Sequence, residues 1–115
     1  MQYMLLIYTS EAALAKTSQQ EMGQVMAAYG AYTEALKKAG ALVSADRLKS
    51  VSTATTVRVA DGKTQVLNGP YAEIKEELGG YYLIEAPDLD AAIGWAARCP
   101  ASAQGAVEVR PVWTM

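Results

Sequence analysis

The chain has 115 residues, 51% hydrophobic and 19% charged, with 10 Lys and Arg against 12 Asp and Glu. That length holds one globular core rather than two, and the apolar share excludes a wholly disordered chain. A formal net charge of -2 without any basic run excludes the electrostatic footprint of a nucleic-acid binder. There is no histidine, so the commonest general base and metal ligand is missing, and one cysteine rules out an internal disulfide framework. The Asp and Glu spacings suggest no metal set, and no cofactor is expected.

The first apolar run, Met4-Leu5-Leu6-Ile7, is too short for a signal-peptide core and follows no basic residue. No stretch approaches the ~18 apolar residues of a membrane span. A soluble, cytoplasmic protein without membrane contact is expected, with residues 1–115 as a single unit.

Tyr3 to Tyr8 is almost uninterruptedly apolar, the pattern of a strand buried on both faces. Residues 11–17 read as a connection. Ser18 and Glu21 have capping-box spacing, and Met22, Val25, Met26, Tyr29, Thr33 and Leu36 form the stripe of an amphipathic helix. Lys37, Lys38 and Gly40 mark its end. Ala41 to Leu48 reads as a second strand. Thr55 to Val59 and Lys63 to Leu67 flank Asp61-Gly62 as a hairpin. Tyr81 to Glu85 repeats the density of the first strand. Asp88 can cap a second helix with a stripe of Leu89, Ala92, Ile93 and Ala96, which Pro100 ends. Val107 to Arg110 is a final strand.

Without the hairpin this order is β-α-β-β-α-β, the ferredoxin-like α+β arrangement. Two helices cover one face of a four-stranded sheet, yet the first and fifth strands offer apolar side chains to both faces. A second copy of the same sheet is the most economical cover, so a homodimer is expected.

The stretch Asn68-Gly69-Pro70-Tyr71-Ala72-Glu73-Ile74-Lys75-Glu76-Glu77-Leu78-Gly79-Gly80 is the most distinctive. It resembles the signature of the DGPF family within the wider YCII-related group, usually Asp-Gly-Pro-Phe-Ala-Glu-Thr-Lys-Glu-Gln-Leu-Gly-Gly. The likeness extends to Tyr3 through Tyr8, Asp46-Arg47-Leu48, Thr55 to Arg58, Arg98-Cys99-Pro100 and Val107 to Pro111, nearly the whole chain. The resemblance implies a dimeric α+β barrel. It implies little about activity, although some members are encoded beside extracytoplasmic-function sigma factors and some relatives are proposed enzymes with a His–Asp pair.

Departures from the motif narrow the chemistry. Asn68 stands where Asp is usual, and an amide cannot serve as a carboxylate base. Asn68 can instead cap a turn by reaching the N–H of Tyr71 or Ala72. Without histidine, no His–Asp chemistry carries over. Glu73, Lys75, Glu76 and Glu77 read either as a solvated short helix or, for Glu73 and Lys75, as acid/base and anion-binding groups of a pocket. Gly79-Gly80 reads as a site of unusual backbone angles. Asp46 and Arg47 are successive strand residues, so one of them faces any cleft that opens there, and Arg47 suits a carboxylate or phosphate. Tyr8 and Tyr82 read as core aromatics whose hydroxyls could hold a ligand. Cys99, at a helix C-terminus, reads as a packed small residue rather than a nucleophile.

The candidate ligand-binding set is therefore Tyr8, Asp46, Arg47, Asn68, Tyr71, Glu73, Lys75 and Tyr82. Two functions compete. One is a small-molecule-binding or regulatory module, linked by resemblance to sigma-factor pathways. The other is a cofactor-free acid/base enzyme using Glu73 and Lys75.

Overall fold

A computed structural model describes residues 1–113. In chain order they form β1 (Gln2–Thr9), α1 (Glu11–Leu14), α2 (Gln19–Lys38), β2 (Leu42–Arg47), a 3-10 turn (Val51–Thr53), β3 (Thr55–Ala60), β4 (Lys63–Asn68), β5 (Glu77–Glu85), α3 (Leu89–Arg98), α4 (Ala101–Gln104) and β6 (Ala106–Pro111). The molecule is an α+β structure. An antiparallel sheet runs in the order β2-β5-β1-β6, and β3 and β4 pair only with each other.

The expected helix ends form as the residues dictate. Ser18 Oγ accepts the Glu21 N–H at 3.1 Å, and Asp88 Oδ1 accepts that of Ala91 at 2.8 Å. Gly40, at φ 68°, lets the chain leave α2 through paired bonds from Ala41 N to Leu36 O and from Gly40 N to Lys37 O. Positive φ at both Asp61 and Gly62 makes the two-residue turn that matches strand twist between β3 and β4.

Alternation sorts the sheet into two faces. Tyr3, Leu5 and Ile7 of β1 are buried, opposite Ile84, Tyr82 and Gly80 of β5 and beside Val109 and Val107 of β6. This inner face packs with Tyr32 and Leu36 of α2 and Ala92 and Ala96 of α3, around the fully buried Leu5, Leu36, Ile84 and Cys99. Tyr32 donates its hydroxyl to Trp95 O at 2.7 Å and meets the Tyr82 ring edge-on at 5.1 Å, which joins both helices to the sheet. On the outer face Met4, Leu6, Tyr8 and Leu83 stay half-buried, with Tyr81, Ser44 and Asp46 beside them.

Several local expectations are corrected. Residues 73–76 are irregular, with a bend at 75–76, rather than a short helix, and β5 starts at Glu77 instead of Tyr81, so the charged run feeds directly into the sheet. Neither Gly79 nor Gly80 has a positive φ; it is Gly69, at 118°, that needs the freedom of glycine. Gly80 is required by proximity, because a Cβ there would sit 2.8 Å from Asp46 O. Gly79 lies where the β1–β5 register slips between Ile7 and Tyr8. In α3 the buried positions are Ala92 and Ala96, whereas Leu89 and Ile93 are about half exposed, since small residues let the helix approach the sheet closely. One turn of helix, α1, occupies part of the expected connection.

Candidate functional site

The length of α2 creates the main concavity. Twenty residues span about 30 Å, but its buried residues, Tyr32 and Leu36, both belong to its C-terminal half. The N-terminal half, with Met22, Val25 and Met26, overhangs the sheet and, with Tyr29 just beyond it, closes one side of a cleft of about 1160 Å³. Ile7, Ala45, Gly80 and Tyr82 line it from the sheet, and α1 and Ser50 close its far end. Gly80 pairs with Ile7 on one side and Arg47 on the other, which sets these three residues side by side on the cleft floor. Of the stripe read as core in the sequence, Leu36 is fully buried and the other five residues line the cleft.

Arg47 and Asp46 separate as strand geometry requires. Asp46 accepts the Tyr81 hydroxyl at 3.0 Å on the outer face. Arg47 opposes Gly80 on the inner face, and its Nη1 lies 3.7 Å from the Met26 sulfur across the cleft. No carboxylate lies within 4.0 Å of its guanidinium among the described residues. Tyr82 also lies on the cleft side. Its hydroxyl is 2.8 Å from Thr33 Oγ1, which itself donates to Tyr29 O at 2.9 Å, so the tyrosine supplies the proton. Burial pushes the Tyr82 phenol up and that of Tyr29 up to about 12, with the neighbouring Cys99 adding to both. Both are neutral hydrogen-bonding groups near pH 7.

The remaining candidates lie elsewhere. Tyr8 and Lys75 line a shallower hollow of about 500 Å³ with Ile74, Glu76, Ala106 and Glu108. Glu73 is exposed and lines neither concavity. Asn68 ends β4 and makes no side-chain hydrogen bond among the described residues, which corrects the expected cap. The turn is held instead by Gly69 N to Ala54 O at 2.7 Å and by Thr56 Oγ1 to Gly69 O at 2.8 Å. Tyr71 is exposed under the Arg58 guanidinium, 4.9 Å from the ring centre. The structure therefore brings Arg47 and Tyr82 to one cleft and keeps them apart from Asn68, Tyr71 and Glu73.

Sequence reasoning missed Glu11, which also lines the cleft. Its carboxylate accepts Ser50 Oγ at 2.7 Å and Val51 N at 3.0 Å, and its own N–H donates to Glu77 Oε1 at 3.2 Å. The bond from Ser50, then that from Val51, holds the Glu11 carboxyl below its ordinary range. Only the 39-residue separation of the partners hid this clasp. Cys99 is buried, and desolvation pushes its thiol up, as expected of a packed residue rather than a nucleophile. Among the described residues no cluster of His, Cys, Asp or Glu could hold a metal ion, and no helix is long and apolar enough to cross a membrane.

Comparison with known proteins places this architecture. The YCII-related domain matches residues 1–115. An uncharacterized protein of Rhizobium meliloti (strain 1021), R00369, is 36% identical over 114 residues, covering 97% of this chain and 92% of that protein. The chain belongs to the YCII-related family.

Proposed function

We propose that this protein is a dimeric small-molecule-binding module whose ligand site is the cleft under the N-terminal half of α2. The observation that carries the reading is the cleft itself. At about 1160 Å³ it has room for a small organic molecule, and it sets an apolar wall of Met22, Val25 and Met26 against polar groups that include Thr33, Arg47 and Tyr82. Glu73 and Lys75 are both exposed and line no common concavity, which favours binding over acid/base catalysis. The antiparallel order β2-β5-β1-β6, with long helices after β1 and β5, supports a ferredoxin-like arrangement in which β3–β4 is an insertion. The half-buried outer face of Met4, Leu6, Tyr8 and Leu83, opposite both long helices, supports a second copy as its cover in a dimeric barrel. The signature around Gly69-Pro70 supports a place in the DGPF-type branch, with a regulatory role beside a sigma-factor pathway and a cytoplasmic setting.

The test is a screen of small organic molecules by thermal shift, with turnover followed in parallel. Binding without turnover, abolished when Met26→Trp fills the cleft, is expected. Conversion of a compound that stops in Glu73→Gln would overturn the reading in favour of the enzyme.

A further inference from the structure

The charge arrangement around the cleft limits what it can hold. Arg47 is the one cation lining it among the described residues. Three carboxylates line the same cleft, but none lies within 4.0 Å of the Arg47 guanidinium. Glu11 is held by Ser50 and Val51, and Asp46 is turned to the outer face by Tyr81. Glu21, the remaining carboxylate of the lining, stands exposed in the first turn of α2. The guanidinium thus meets only the Met26 sulfur, a weak acceptor that leaves most of its five donors free for another group. A cation that pairs with no carboxylate, set beside the apolar side chains of Met22, Val25 and Met26, calls for an anion on an apolar body.

We propose that the ligand is an aromatic or alicyclic carboxylate. Its carboxylate is gripped by Arg47, and its ring lies between Met26 and Tyr29 of α2 and the floor at Gly80. The bidentate fork of arginine matches a carboxylate, and thioether and phenol side chains suit a flat ring. Tyr29 offers its ring to the same wall, while its hydroxyl is turned to the Cys99 thiol. Gly80 lines the floor of the cleft with Ile7 and Tyr82.

This inference rests on the cleft being the ligand site, and the test separates the two claims. The probes are 2-naphthoate, the uncharged 2-naphthamide and the cation 2-naphthylmethylammonium, measured by calorimetry on the intact protein at up to millimolar concentration. Naphthoate is expected to bind about tenfold more tightly than naphthamide, the effect of one charge-assisted pair. Arg47→Met, which keeps the apolar stem, should erase that preference while leaving naphthamide affinity unchanged; the latter also reports that the variant is folded. Arg47→Lys should retain part of the preference. Equal binding of the acid and the amide, both lost in Met26→Trp, would keep the cleft and overturn the carboxylate. A preference that survives Arg47→Met, or tighter binding of the cation, also overturns it. Failure of all three probes to bind would overturn both claims.

Discussion

The four-stranded body and the β3–β4 hairpin are built from similar residues and end in opposite states. In the body, alternation places Tyr3, Leu5 and Ile7 in a core and leaves the other face half-covered. In the hairpin, Val57 and Val66 face each other across the ladder, yet each is more than half exposed, as are Val59 and Leu67. β-branched alternation therefore predicts strand, but burial depends on what lies above the strand. A two-stranded ribbon alone is marginal in water, and the chain leading into this one is tied to the body by Glu11, through Ser50 and Val51. The projection also shows in size. The radius of gyration is 16.1 Å, against about 13 Å for a compact chain of this length.

The contrast can be broken by mutation. Leu36→Ala, in the centre of the body's core, should cost about 2–5 kcal/mol in urea unfolding. Gly80→Ala should follow with about 1–3 kcal/mol, because its new methyl meets the Asp46 carbonyl rather than a movable side chain. Val57→Ser and Val66→Ser, exposed in the hairpin, should each change the body's stability by no more than about 0.5 kcal/mol. A loss as large as that of Leu36→Ala would show that hairpin and body share one core.

Two smaller effects sharpen the junction between them. Asn68→Ala should also stay within about 0.5 kcal/mol, since the turn is held by Thr56 and Ala54. A loss near 1 kcal/mol would restore the cap. The Glu11 clasp gives a pH dependence with a definite sign. Because its folded pKa is lowered, its stabilising contribution is present above the unfolded value and is lost as pH falls through the folded one. The protection of the Val51 amide against hydrogen exchange, measured relative to an unfolded chain at the same pH, should therefore fall on acidification, and Glu11→Gln should remove that dependence. An identical pH response in the variant would mean that the clasp does not hold the hairpin's base.

Much of the fold was legible because its signals are local. Ser18, Gly40, Asp61-Gly62 and Asp88 act within a few residues, and the structure uses each for the expected turn or cap. The irregular path of 73–76 was illegible because charged residues with helical composition yield to the pull of a strand that begins at Glu77. The cleft was half legible. That successive residues face opposite sides of a strand predicted the parting of Asp46 and Arg47, but not which of them faces α2. The overhang of Met22 to Tyr29 was hidden, because periodicity gives the apolar side of a helix and not whether the sheet below reaches its full length. Glu11 could not be found at all without the chain reversal that brings Ser50 to it.

The central claim is that the ligand site belongs to the body and not to the distinctive segment at 68–76. A titration of the isotope-labelled protein with 2-naphthoate, followed by amide chemical shifts, tests it directly. The account predicts that the large shifts fall on Met26, Tyr29, Arg47 and Gly80, while Asn68, Tyr71 and Glu73 stay in place. Shifts concentrated at 68–76, with the cleft residues unmoved, would contradict it.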